Sequence, residues 1–252
     1  MKVKLDEAIQ GQDCTLEFFQ APGCETKGMV LVLPGGGYAG LAPHEAVPVA
    51  EKFVELGFHA AVCMYRVSPA IYPAPLDDAR RAIRYIREHA AELRVKSDKI
   101  AVLGFSAGGH LAAMVSNMPG SAAARPDASI LCYAVLSSTA GGDRYHLGSY
   151  HNLFGDKRPR EAYRDFNWPE RVTKDTPPAF LWHTMDDECV PVENSIDYAM
   201  ALRRLDIPFA LHVFSHGVHG MSIGNRPGYE EKYAEIKVWP ELCARWLRGM
   251  GW

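Results

Sequence analysis

Residues 104–108 read Gly-Phe-Ser-Ala-Gly, and the setting of this pentapeptide constrains the chain more than any other feature. The run Ile100-Ala101-Val102-Leu103 before it is apolar without alternation, as expected of a strand covered on both faces of a parallel sheet. Residues 109–115 after it read as a helix. A G-x-S-x-G turn between strand and helix holds its serine in a strained conformation with the hydroxyl exposed, and its glycines admit close approach of other backbone. Ser106 is the candidate nucleophile; the plain alternative is a strand-to-helix turn whose glycines serve packing alone.

A nucleophilic serine needs a base, a group that orients the base, and donors for the oxyanion. The apolar run Ala179-Phe180-Leu181-Trp182 ends in a loop carrying Asp186 and Asp187, which places carboxylates just past a strand end. Residues 209–214 alternate and then break into Ser215-His216-Gly217-Val218-His219-Gly220. The G-x-H-G setting lets a loop carry the imidazole of His219 over the serine, whereas His216 lies closer to the strand end. Oxyanion donors are expected at Ala107 and in the loop Pro34-Gly35-Gly36-Gly37-Tyr38, with Gly36 and Gly37 as the N–H groups. That loop lacks both the G-K-[ST] ending and the G-x-G-x-x-G spacing of a phosphate cradle.

Strand-like runs at 29–33, 60–65, 100–105, 130–136, 180–183 and 209–214 alternate with helix-like stretches at 45–56, 77–93, 109–118, 193–205 and 229–247. Such alternation implies a mostly parallel α/β sheet. The residues before Pro22 read as a leading antiparallel piece. The spacing uses all 252 residues in one domain, 1–252, with about eight strands. Residues 137–177 interrupt the alternation and sit in the order of a lid over the carboxyl ends of the strands. Their aromatic and amphipathic groups, Tyr145, His146, Tyr150, Phe154, Tyr163, Phe166 and Trp168, suit either stacking on a sugar ring or a small core of the insert itself. Arg66 after a strand end and Asp78 at a helix start suit a structural ion pair, and Glu45 suits either the pocket or a helix cap.

Together with Tyr65-Arg66-Val67, residues 72–78 and Pro191-Val192-Glu193-Asn194-Ser195, these motifs resemble the α/β-hydrolase fold from Met29 onward. Within it the chain is similar to the lipase/esterase branch that includes bacterial sugar esterases and acetyl xylan esterase-like proteins. The resemblance implies the chain order Ser, Asp, His. Its D-x-x-V-P arrangement makes Asp187 the acid, with Asp186 as the fallback. It implies a serine carboxylesterase that needs no cofactor and cleaves short acyl esters, chiefly acetyl, on carbohydrates such as xylo-oligosaccharides, with Tyr38 and Trp168 as substrate contacts. Two departures stand out: Pro34 replaces the histidine of H-G-G-G, and Asn167-Trp168-Pro169 replaces an expected Ser-Pro-Glu before Val172. A small serine peptidase of the prolyl-oligopeptidase or acylaminoacyl type, and a non-catalytic ligand-binding protein on the same scaffold, are the alternatives.

A net charge of −3 and the lack of a basic tract argue against nucleic acid as a partner. The first ten residues contain no apolar signal region, and no apolar run approaches the ~18 residues of a membrane span, so a cytoplasmic protein with a small ester substrate is expected. Cys14, Cys24, Cys63, Cys132, Cys189 and Cys243 are scattered with no C-x-x-C pair, as in a chain whose thiols stay reduced.

Overall fold

The computed structural model describes residues 1–5, 12–23, 25–118, 120–140 and 146–252; Cys24 and Tyr145 lie outside them. The strands β1 (Lys2–Lys4), β2 (Thr15–Phe19), β3 (Lys27–Leu33), β4 (His59–Met64), β5 (Val95–Phe105), β6 (Ala128–Cys132), β7 (Ala179–Thr184) and β8 (Phe209–Phe214) form one sheet. Its order is β1-β2-β4-β3-β5-β6-β7-β8. The expected leading antiparallel piece is β1 on β2 and β2 on β4; every other pairing is parallel.

Period-two geometry sends alternate residues of each central strand to opposite faces, and each face has its own core. Met29, Leu31, Ile100, Val102, Leu131 and Leu181 pack with the helices α2 (Ala74–Glu88), α4 (Ser106–Asn117) and α6 (Glu193–Arg204). Val30, Val32, Ala101, Leu103, Ile130, Phe180 and Trp182 pack with α1 (Val47–Glu55) and α7 (Trp239–Gly249). This two-sided burial is why the central strands read as unbroken apolar runs. The edge strand β8 is half-buried nearly throughout, without the alternation expected of 209–214.

Several boundaries differ from the sequence expectation, three of them for a clear local reason. α4 opens on Ser106 itself. β6 stops at Cys132 because Tyr133 takes φ +36 and turns the chain, after which the Val135 N–H donates to the Ser106 carbonyl at 3.1 Å. The last helix begins at Trp239, where Pro240 fits the first turn because it has no N–H to lose there. A short helix α3 (Ala90–Leu93) follows α2, and α5 (Leu147–Phe154) lies in the insert. Among the described residues no helix is long and apolar enough to cross a membrane.

The sheet order sets the position of the site. From β3 the chain crosses to β4 on one side, then returns to β5 on the other. Strand order therefore reverses between β3 and β5, and the crevice at such a switch point is where open α/β sheets bind ligands. The glycine loop after β3 and the turn after β5 meet there.

Candidate active site

Ser106 follows the end of β5 and opens α4 with φ +52, a left-handed conformation that costs a non-glycine residue roughly 1–3 kcal/mol. Two close approaches hold it there. A Cβ on Gly104 would meet the Gly108 carbonyl oxygen at 2.2 Å, and one on Gly108 would meet the Leu33 oxygen at 2.2 Å. Only glycine at both positions lets the helix pack so tightly against β3 and β5.

The loops after β7 and β8 bring the other groups to Ser106. His219 Nε2 lies 2.8 Å from Ser106 Oγ, and His219 Nδ1 lies 2.7 Å from Asp187 Oδ2. With Nδ1–H donating to the carboxylate, Nε2 is free to accept the serine proton. Asp187 Oδ1 accepts the N–H groups of Cys189 and Val190 at 2.8 and 2.9 Å. Burial alone would raise the Asp187 pKa; hydrogens and charge from His183 and His219 outweigh it and hold the carboxyl well below the usual carboxylate range.

Asp186 takes no part in this chain of contacts. It pairs with His216 at 3.0 Å on the exposed side of the same loops and accepts the Gly217 N–H at 2.8 Å. The two carboxylates and two imidazoles thus sort into separate pairs.

The glycine loop is held from below and from the side. Gly36 and Gly37 take φ +128 and +64, and a Cβ on Gly36 would meet the Gly40 oxygen at 2.3 Å. Among the described residues neither N–H donates to a protein acceptor. Ala107, in the first turn of α4, carries one of the N–H groups a helix start leaves without a partner inside the helix.

Three side chains support this frame: Glu45, to which the sequence reading gave another role, and Asn152 and His183, which it gave none. Glu45 is 3% exposed; its Oε2 accepts the Gly35 N–H at 2.8 Å and its Oε1 the Tyr133 hydroxyl at 2.6 Å. It is neither a helix cap nor a free pocket acid. Asn152 of α5 donates to the Gly37 carbonyl at 2.8 Å. His183 is fully buried on β7, its Nε2 2.9 Å from the Val190 oxygen and 3.5 Å from Asp187 Oδ2, its Nδ1 2.8 Å from Ser195 Oγ. The resemblance at 191–195 marked that last segment, but nothing local in sequence points from His183 to Asp187. Arg66 and Asp78 form the anticipated ion pair, fully buried, at 2.6 Å.

The two expected substrate contacts are corrected. Tyr38 and Trp168 are each 1% exposed and lie behind the cleft. The Tyr38 hydroxyl is 2.8 Å from His110 Nδ1, and Trp168 packs on His110 with ring centroids 5.3 Å apart. The insert's aromatics chiefly pack on one another: Tyr150 stacks on Tyr163 at 5.1 Å and Phe154 meets Phe166 edge-on at 4.7 Å. Among the described residues of the insert, His146 is the one that lines the cleft. The cleft encloses about 510 Å³ over Ser106 and is lined by Gly36, Gly37, His44, His146, Cys189, His219 and Arg226. A separate cavity of about 470 Å³, lined by Tyr72, Phe166 and Trp168, does not include Ser106.

Comparison with known proteins places this geometry among relatives. Residues 74–243 match the family described as the prolyl oligopeptidase family, and residues 19–125 match BD-FAE. The chain is 37% identical over 210 residues to endo-1,4-beta-xylanase B of Butyrivibrio fibrisolvens, covering 78% of this chain and 33% of that protein. It is 30% identical over 212 residues to an acetylxylan esterase of Xylanibacter ruminicola, covering 81% of this chain and 43% of that one. It therefore spans a third to less than half the length of these two relatives. The crystal structure of an acetyl ester-xyloside bifunctional hydrolase from Caldicellulosiruptor lactoaceticus superposes with a TM-score of 0.88 at 35% identity, over 100% of this chain and 96% of that one.

Proposed function

We propose, for a chain that belongs to the α/β-hydrolases of the prolyl oligopeptidase family and to their acetyl xylan esterase-like branch, that its reaction is hydrolysis of short acyl esters on carbohydrates. The observation that carries this reading is the unbroken run of contacts from Asp187 through His219 to Ser106 at 2.7 and 2.8 Å. Names of the relatives support the substrate class: an acetylxylan esterase, a xylanase and an acetyl ester-xyloside hydrolase all share most of this chain.

In this mechanism Ser106 Oγ attacks the ester carbonyl as its proton passes to His219 Nε2. Asp187 holds the Nδ1–H tautomer and stabilises the imidazolium. The N–H groups of Gly36, Gly37 and Ala107 receive the oxyanion, each such donor being worth about 10²–10³ in kcat. The imidazolium returns its proton to the departing alcohol, and a water activated by His219 then releases the acid from the acyl-serine. The protein supplies every group these steps require.

The proposal includes one domain spanning 1–252, supported by the eight strands joining one sheet. It also includes a cytoplasmic setting, supported by Cys14, Cys63, Cys132, Cys189 and Cys243 all being free thiols, and cell fractionation tests it.

Acetate release from acetylated xylo-oligosaccharides, run beside 4-nitrophenyl esters of increasing chain length, tests the reading. Cleavage of sugar acetate and of the short esters supports it; cleavage of activated esters alone removes the carbohydrate. The prolyl oligopeptidase match favours peptide hydrolysis as a second reading. Turnover of an acylaminoacyl anilide at a rate matching the acetyl ester would favour it over the first.

A further inference from the structure

Arg226 stands at the mouth of the cleft, on the same loop as His219. Its Nη1 lies 3.2 Å from where a Cβ on Gly220 would stand, so the guanidinium rests against the residue that follows the imidazole. Its Cζ sits 5.3 Å over the ring of Tyr229. Among the described residues no carboxylate lies within ion-pair distance of it, although the chain as a whole carries more acids than bases.

The rest of the lining sets no negative charge against it, burial lowering the His146 pKa and so keeping that ring neutral. Besides His219, the other ionisable side chains offered to the cleft are His44, His146 and the Cys189 thiol, whose pKa burial raises. The carboxylate that borders it, Glu45, is buried and spent on Gly35 and Tyr133. Asp187 lies behind His219 at 3% exposure. A ligand entering this cleft meets a permanent cation, three imidazoles and a thiol, with no accessible acid in the lining to repel an anion.

We propose that Arg226 binds a carboxylate on the substrate, so that the enzyme prefers acidic esters over neutral ones of the same size. This inference rests on the esterase reading above and deepens it. A planar guanidinium pairs with a carboxylate through two parallel N–H···O bonds, a geometry lysine cannot reproduce. The carboxylate can sit on the alcohol side, as in an acetylated sugar acid, or on the acyl side, as in a hemisuccinate.

Two substrate pairs separate these sources. On the alcohol side, kcat/KM is measured for 4-acetoxybenzoate and its neutral isostere 4-acetoxybenzamide; on the acyl side, for 4-nitrophenyl hemisuccinate and 4-nitrophenyl butyrate. Wild type favours the charged member of one pair, and Arg226→Gln lowers that charged-to-neutral ratio by about tenfold to a hundredfold, mainly through KM. Arg226→Lys keeps part of the preference, and added salt weakens it in wild type. Equal ratios in wild type and Arg226→Gln for both pairs overturn the inference. Should Arg226→Gln not fold, a wild-type ratio near one in both pairs, unmoved by salt, overturns it equally. Turnover of the neutral esters keeps the esterase reading standing whichever way the ratios fall, whereas no turnover of any ester removes that reading first.

Discussion

Glu45 and Tyr133 share a 2.6 Å hydrogen bond beneath the cleft, and the other oxygen of the same carboxylate holds the Gly35 N–H. Tyr133 Oη in turn accepts the Ser222 N–H at 2.9 Å, and the Ser222 oxygen accepts the Trp239 indole N–H at 2.9 Å. One buried acid thereby joins the loop before the oxyanion donors to the loop after His219.

Removing that acid strands two buried donors. Glu45→Ala is expected to cost about 2–4 kcal/mol of stability and to lower kcat, because an unpaired buried polar group pays its full desolvation penalty. Glu45→Gln, which keeps an acceptor for one of the two donors, loses less of both. Thermal melts and steady-state kinetics on 4-nitrophenyl acetate check the order.

Asn152 is the clamp on the Gly37 carbonyl, and its loss should move the oxyanion loop without unfolding the protein. Asn152→Ala is expected to lower kcat about 3- to 30-fold, a fraction of the value of a whole oxyanion donor, with little change in KM. An unchanged kcat with a raised KM would place Asn152 in substrate binding instead.

The adjacent acids are expected to behave oppositely. Asp187→Asn lowers kcat by about 10⁴, since the wrong tautomer of His219 then faces Ser106. Asp186→Asn, whose partner His216 is exposed, stays within tenfold of wild type. Parallel kinetics on the two variants decide between them.

His110 gives the protein an acid-sensitive core. Burial lowers its pKa from 6.5 to about 3, so the folded state keeps the ring neutral where the unfolded chain protonates it. Its contribution is complete above pH 6.5 and is lost as pH falls from there toward 3. Wild-type melting temperature should therefore fall across that interval. His110→Phe should be less stable at pH 7, through the stranded Tyr38 hydroxyl, and should show a shallower fall.

The sheet was legible in sequence because its central strands are buried on both faces, so that residues 29–33 and 100–105 appear as apolar runs between glycine-rich turns. Ser106, Asp187 and His219 were legible because each follows the carboxyl end of a strand, and the structure brings the three together. Asp186 and His216 were ranked behind them in sequence on the D-x-x-V-P and G-x-H-G patterns, and in three dimensions the two pair with each other and face solvent. Tyr38 and Trp168 misled because an aromatic next to a site reads the same whether it points into the cleft or behind it. Glu45, Asn152 and His183 act through backbone groups distant in sequence, and no local pattern encodes such contacts.

The most direct test is kcat/KM for 4-nitrophenyl acetate with wild type and Ser106→Ala, the variant's folding checked by its melting temperature. Turnover by wild type and a loss of about 10⁴-fold or more in a folded Ser106→Ala is the predicted result. A folded Ser106→Ala that retains activity within tenfold of wild type would contradict the account.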